Sequence, residues 1–514
     1  MGKKIFYAFG FATLLSVSNL SKAVHYSGLQ MYHSRLATPA VCAAILLDFA
    51  IVMFVAVVAW NWLQRRWPGA TSYAVVLAVF PGLILLFNRV LAADLWTKVL
   101  GQFHSPHQAA EDGVMPVSLV ATFLFWASWI LIVFAVSRVR KLEGFCAGAA
   151  KILLMAGALM GLSLMVNLGR SVVRRLPDSK MAKMHEHTAG DGRVRPRVVW
   201  IVMDELAYAQ VFEQRPADLQ LPHFDALRKQ STLYTDTRPV SYWTDLAIPS
   251  LISGRQLTEL HYSYTDTLKF REASDGKWHK FDPQQSIFAD AEKAQWNVAA
   301  AGWWNPYCTL FSGMLQRCFW TFYDGYTFIR SWQPLLKNMW QSFAWELRPW
   351  DAPPFHQIRL DDNHVLTEKA LEDIDDDQMD FIFLHIPVPH LPYVFDRHTG
   401  KEDAAQGHSY IDGLAYADTV LGKLLTEMQA TPRWSSTTLI VNGDHSWRTP
   451  MWMEDNCWNA VDFATSNGGK FDDRPMLIVH GPGQTEAVTV AAPTPLLHVH
   501  EVLESVLQTG KPVQ

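Results

Sequence analysis

The sequence predicts a five-helix transmembrane N-terminal domain followed by an α/β domain with a mostly parallel central sheet covered by helices. Three observations predict it. The first 170 residues are mostly apolar and hold five segments of bilayer-crossing length. The remainder has the mixed composition of a soluble globular protein. Several of its apolar runs end in acidic or imidazole side chains, as buried parallel strands do when they deliver polar groups to one sheet edge.

At 514 residues the chain is too long for one compact domain. A formal net charge of -5 with 18% charged residues excludes a basic nucleic-acid binder. Mean hydropathy near zero conceals two unlike halves that meet near Arg170. The boundaries that follow are 1–170 for the membrane domain, 171–196 for a linker and 197–514 for an external domain.

The apolar segments run from Ile5 to Ala23, Ala40 to Leu63, Tyr73 to Ala93, Pro116 to Val136 and Gly148 to Leu168. Each is close to the ~20 residues a helix needs to cross a bilayer. Asn88 and Arg89 make the far end of the third the least sharply bounded. The first follows Lys3 and Lys4, as a secretory signal would, but no small-residue cleavage site follows it, which favours a retained helix. Lys3 and Lys4, Arg65 and Arg66, and Arg138, Arg140 and Lys141 fall on alternate sides from the other loops, so these turns are read as cytoplasmic. An odd number of crossings then puts the second half outside. Arg170, Arg174 and Arg175 run against that bias and are placed to meet lipid phosphates.

Cysteine usage agrees with an external second half. Cys42 and Cys146 lie in or beside membrane segments as small apolar residues. Cys308 and Cys318, in W-W-N-P-Y-C-T-L-F-S-G-M-L-Q-R-C-F-W, are close enough to clip one loop in an oxidising compartment, leaving Cys457 over.

Met181 to Pro196 is polar and reads as the end of the linker. V-V-W-I-V-M-D-E-L, from Val198 to Leu206, then reads as a buried strand ending in two acidic residues. The design recurs in D-F-I-F-L-H-I-P-V-P-H (Asp380 to His390) and T-T-L-I-V-N-G-D-H-S-W-R (Thr437 to Arg448). P-M-L-I-V-H, from Pro475, is a further strand, and Tyr410 to Met428 has the clearest helical period. In S-Y-W-T-D-L-A-I-P-S-L-I-S-G-R, Thr244 heads a short helix that closes at Gly254. The plainer reading of Thr244 is a helix cap, and of each strand-end Asp or His a structural residue. Jointly, Asp204 with Glu205, His385 with His390, Asp444 with His445, and Thr244 supply the oxygen and nitrogen ligands of a zinc-type or manganese-type site. A threonine oxygen beside such an ion becomes a usable nucleophile.

With these motifs the chain resembles the sulfatase-like branch of the alkaline phosphatase superfamily. Its layout is similar to membrane-bound phosphoethanolamine transferases and lipoteichoic-acid synthases, which place five membrane helices before an external catalytic domain. The resemblance spans about Arg195 to Leu507 and rests on I-V-M-D, T-D-L-A-I-P-S-L-I-S-G-R, H-I-P-V-P-H-L-P-Y, Y-I-D-G-L-A-Y-A-D-T-V-L-G-K-L-L, the Asp444-His445 pair and Arg474-Pro475. It implies an alkaline-phosphatase-like fold in which Asp204, Thr244, Asp444 and His445 hold a divalent metal, zinc or else manganese. Thr244 is then also the nucleophile that becomes phosphorylated, and Glu205 fills a second acidic place. His390 matches the histidine that meets the phosphoryl group or leaving oxygen, with His385 as its support. The formylglycine motif Cys-x-Pro-x-Arg is absent: Thr244, Leu246 and Ile248 occupy its Cys, Pro and Arg places, against sulfate ester hydrolysis. Ser446-Trp447-Arg448 replaces the expected glycine, and no nearby downstream histidine supplies a second metal.

The implied function is transfer of phosphoethanolamine or phosphoglycerol from a membrane phospholipid donor, through a covalent threonine, to an envelope lipid or glycan acceptor. The implied location is the bacterial inner membrane, with the catalytic domain on its periplasmic or extracellular side. A phosphodiesterase or phosphatase on the same machinery, and a non-catalytic envelope protein, are the alternatives.

Overall fold

The computed structural model describes residues 2–24, 39–67, 143–173, 179–186, 195–262, 268–321, 355–405, 407–454 and 457–513, with isolated positions between 69 and 135. The chain divides into two compact units, one holding the described residues up to Val173 and the other those from Ser179 onward.

In the first unit, α1 (Gly2–Val24), α2 (Pro39–Arg66) and α3 (Glu143–Val173) coincide with three of the expected apolar segments. Their long aliphatic runs carry no interior proline to interrupt the backbone ladder. α1 and α3 touch backbone to backbone: a Cβ on Gly10 would lie 1.9 Å from the Leu154 carbonyl oxygen, and one on Gly157 2.5 Å from that of Gly10. Only small residues permit such an approach. Among the described residues one helix stretch, Ala147–Val166, is long and apolar enough to cross a membrane. The expected segments Tyr73 to Ala93 and Pro116 to Val136 lie outside the described residues, apart from isolated positions, as do Arg138, Arg140, Lys141, Arg174 and Arg175.

The second unit is built on an eight-stranded sheet. Its strands are β1 (Arg197–Met203), β2 (Thr232–Tyr234), β3 (Val298–Trp303), β4 (Arg317–Thr321), β5 (Phe381–Ile386), β6 (Thr437–Gly443), β7 (Leu477–His480) and β8 (Val488–Val490). The spatial order is β8-β2-β7-β6-β1-β5-β3-β4. β7 pairs antiparallel with both neighbours and every other pairing is parallel, so the expected mostly parallel sheet is present. β1, β5 and β6 are buried along their whole length, which is why they read as continuous apolar runs. The strand expected from Pro475 begins at Leu477 and is the antiparallel one.

α4 (Thr244–Ser253), α5 (Tyr307–Leu310), α6 (Phe355–Asp375), α7 (Tyr410–Ala430) and α8 (His498–Thr509) accompany the sheet. α7 opens on a capping box in which Ser409 and Asp412 satisfy each other's backbone N–H groups. Trp200 of β1 is fully buried; its indole N–H donates to Asn442 Oδ1 at 2.8 Å and its ring meets Phe383 at 4.9 Å. It shares one core with Ile248 and Leu251 of α4 and with Val499 and Val502 of α8. The helix that carries Thr244 is thereby fixed to the strand that leads into Asp204.

β3, with the sequence V-A-A-A-G-W, was not expected as a strand, since alanine favours helix over sheet. Its glycine is explained by Tyr307: a Cβ on Gly302 would lie 2.2 Å from that ring. The expected disulfide Cys308–Cys318 joins α5 to β4 and holds the tyrosine in place. Closing a loop of this length stabilises by about 3 kcal/mol in the chain-entropy account. The double variant Cys308→Ala/Cys318→Ala is therefore expected to lose about 2–3 kcal/mol in chemical denaturation followed by tryptophan fluorescence. An unchanged midpoint would show that the bond does not hold α5.

Candidate metal centre

Strand register assembles the site. Met203 lies opposite both Gly443 of β6 and Ile386 of β5, so the next residues, Asp204 and Asp444, leave the sheet side by side. His385 sits one step lower, opposite Val202. α4 brings Thr244 to the same edge.

Asp204, Asp444 and His445 converge with ligand atoms within 4.8 Å of one another, and all three are buried. His445 Nδ1 donates to the Ser446 carbonyl oxygen at 3.0 Å, which leaves Nε2 as a lone pair. That lone pair faces Asp444 Oδ2 at 3.3 Å and Asp204 Oδ1 at 3.7 Å. Burial and then Arg448 push the imidazole down to about 4, so it cannot relieve the contact by protonation at neutral pH. Both Asp204 oxygens and Asp444 Oδ2 lack any hydrogen-bond donor. Thr244 Oγ1 lies 3.3 Å from His445 Nε2, and its single proton can satisfy one acceptor only. Leaving such buried acceptors unmet costs about 1–3 kcal/mol each. A divalent cation meets all of them at once, and the mixed oxygen and nitrogen set fits zinc or manganese.

Thr244 is not the cap of its helix. Trp243, in extended conformation, holds the cap position without a side-chain cap bond, and Thr244 is the first helical residue. Its hydroxyl is turned to the cluster, and the positive helix end lies beside it.

The other expected residues are placed differently. Glu205 is fully buried with φ of 65°, a left-handed conformation uncommon for a residue with a side chain. Tyr410 donates to its carbonyl oxygen at 2.6 Å and its N–H donates to Asp444 Oδ1 at 3.1 Å. Its carboxylate turns away from the cluster and accepts from Arg448 Nε at 2.6 Å and Trp452 Nε1 at 2.9 Å. His385 does not support His390; its Nδ1 pairs with the Tyr307 hydroxyl at 2.8 Å, across the gap opened by Gly302. Burial pushes His385 down to about 4.

His390 donates from Nδ1 to the Leu391 carbonyl oxygen at 2.6 Å and presents Nε2 to Arg448 Nη2 at 3.3 Å. Burial, then Arg359 and Arg448, hold it well below the usual imidazole range. In this arrangement the Leu391 carbonyl and Arg448 occupy both of its ring nitrogens. Arg448 was visible only as a departure from a glycine, and Tyr307 only as a neighbour of Cys308.

A model of the family "Sulfatase" matches residues 196–499, a span that contains every side chain of the cluster. No curated protein sequence matches the chain. Among solved structures it is similar to Ps i-CgsB, at 16% identity over 62% of this chain and 73% of that one, with a TM-score of 0.42. It is similar to the phosphonate monoester hydrolase SpPMH from Silicibacter pomeroyi, at 14% over 62% and 74%, with a TM-score of 0.41. A protein in the alkaline phosphatase superfamily from Vibrio parahaemolyticus matches at 14% over 65% and 70%, with a TM-score of 0.36. At these scores the family assignment rests on the sequence match alone.

The cluster's charge gives a test. Burial, then Asp444 and Glu205, hold Asp204 well above its ordinary value of 3.8. A carboxyl raised in the folded state gives stability that is complete below its unfolded value and lost as pH rises through its folded one. His385 and His445, pushed down from 6.5 to about 4, act the other way as pH falls between those values. At about pH 7.5 both imidazoles are neutral folded and unfolded, so the carboxylates decide the sign. With chelator at that pH, Asp204→Asn is expected to be about 1–3 kcal/mol more stable than wild type in thermal unfolding. Excess zinc is expected to reverse the order, because only wild type gains the binding free energy. Wild type more stable under both conditions would contradict the cation reading.

Proposed function

The chain belongs to the sulfatase family, and from that premise we propose that it is a metal-dependent phosphotransferase that moves a phospholipid head group through Thr244 to an envelope lipid or glycan. The observation that carries the proposal is the hydroxyl of Thr244, 3.3 Å from His445 Nε2, at the position that the motif resemblance matches to the formylglycine cysteine of sulfatases. A threonine cannot become formylglycine. It can carry a phosphodiester.

Asp204, Asp444 and His445, with Thr244, would hold the cation; zinc is the first choice and manganese the second. When bound, it lowers the pKa of the hydroxyl and offsets charge on phosphoryl oxygens. α4 orients Thr244 Oγ1, which forms a bond to phosphorus as the bond from phosphorus to the diacylglycerol oxygen breaks. The threonine loses its proton to solvent and the departing oxygen gains one. A phosphothreonine diester remains, and an acceptor hydroxyl repeats the exchange.

A lipid donor is favoured by the surface around the threonine. Tyr242 and Trp243 immediately before it are exposed, as are Met451 and Met453 just after Arg448. Exposed aromatic and apolar side chains beside a polar centre suit a head group whose acyl chains stay in a membrane. An anchor of five crossings, with the second unit on the periplasmic or extracellular side of a bacterial inner membrane, completes the proposal.

Incubation with native phospholipids followed by mass spectrometry is expected to find a head-group adduct on Thr244, with diacylglycerol released and both signals lost in Thr244→Ala. Soluble phosphate product without an acceptor adduct would instead identify a hydrolase, and an unmodified threonine with competent lipid would remove the covalent mechanism. Met451→Ser is expected to raise KM severalfold for bilayer phospholipid while leaving a short-chain soluble phosphodiester unaffected. Equal effects on both substrates would contradict the lipid-facing role.

A further inference from the structure

Arg448 occupies a place that metal binding does not explain. Its Nε donates to Glu205 Oε1 at 2.6 Å, its Nη1 approaches the Tyr242 carbonyl oxygen at 3.4 Å and its Nη2 meets His390 Nε2 at 3.3 Å. A guanidinium has five N–H donors. Two of Arg448's therefore have no protein acceptor among the described residues. The planar head lies between two indoles, with Trp243 at 5.4 Å and Trp452 at 5.3 Å. The backbone below it is fixed, because Trp447 stacks on Tyr410 at 4.2 Å and on Trp458 at 5.2 Å. Glu205 is held in its left-handed conformation with its carboxylate on the guanidinium.

Stability does not account for this arrangement. A buried carboxylate–guanidinium pair commonly gains little over apolar residues of the same volume. Charge does account for it. Asp204, Glu205 and Asp444 bring three negative charges to the strand ends, and Arg448 returns one. The remaining two match one divalent cation. The guanidinium lies beside His390 and over the ring of Trp243, the residue that precedes Thr244 in the chain. A planar fork of N–H donors recognises tetrahedral oxyanions in particular.

Resting on the phosphoryl-transfer reading above, we propose that Arg448 binds the anionic oxygens of the transferred phosphoryl group, with Glu205 as the positioning residue that aims it. The centre then takes one divalent cation per chain, and the guanidinium supplies the second fixed positive charge.

The test uses the full-length zinc-loaded protein in detergent, with inorganic phosphate as the probe. Metal content and phosphate affinity are measured separately, by elemental analysis and by titration calorimetry. Wild type is expected to hold one zinc per chain and to bind phosphate. Arg448→Gln is expected to keep the zinc and lose phosphate affinity by tenfold or more, and Arg448→Lys to lose a smaller part, since it keeps the charge without the fork. Glu205→Gln is expected to weaken phosphate binding with metal content unchanged, which a merely structural residue would not do. Wild-type phosphate affinity in Arg448→Gln overturns the inference while leaving the threonine adduct chemistry standing; if Arg448→Gln does not fold, undiminished affinity in Arg448→Lys overturns it. Zinc-loaded wild type that binds no phosphate removes the phosphoryl-transfer reading together with this one.

Discussion

The lone pair of His445 Nε2 faces the buried carboxyl groups of Asp204 and Asp444, and burial raises the cost of charge on all three. Such an arrangement is unfavourable in an empty protein interior, and the rest of the second unit can be understood as what holds it together. The parallel register of β1 and β6 fixes the separation of Asp204 and Asp444 through backbone hydrogen bonds that no side-chain change can easily shift. The Ser446 carbonyl fixes the ring of His445 by its other nitrogen. α4, packed on the same core as Trp200, closes the fourth side with a hydroxyl.

Around that cluster lies a second layer whose logic is positional. Tyr410 meets the backbone of Glu205, Trp452 and Arg448 meet its carboxylate, and Tyr307 meets His385 through space left by Gly302. Each of these contacts buries a polar group that an apolar core would do without. Sites that concentrate charge in this way give up stability for a fixed field, the usual largest contribution to catalysis. The Cys308–Cys318 bond and the aromatic stack about Trp447 are local reinforcements of the two loops that carry the burden.

Much of this was legible in the residues. β1, β5 and β6 are continuous runs of branched and aromatic side chains, and strands buried on both faces can hardly be written otherwise. Thr244 to Gly254 carried a helix's opening and closing signals, and Asp-His after a strand carried the cluster. What could not be read was side-chain direction after a strand ends. Whether Glu205 joins the cluster or turns to Arg448 depends on a single left-handed residue, and nothing in M-D-E-L announces it. β3 hid because its alanines read as helix formers, and because Gly302 is there to admit Tyr307, a contact set by tertiary packing. β2 and β8 are three residues long, too short for any period to declare itself.

The most direct measurement is anomalous diffraction at the zinc edge from crystals of the zinc-loaded protein. The account predicts a peak bonded by Asp204, Asp444 and His445 Nε2, with the Thr244 oxygen in the same coordination sphere. A peak elsewhere, or one there with Thr244 beyond bonding reach, would contradict it.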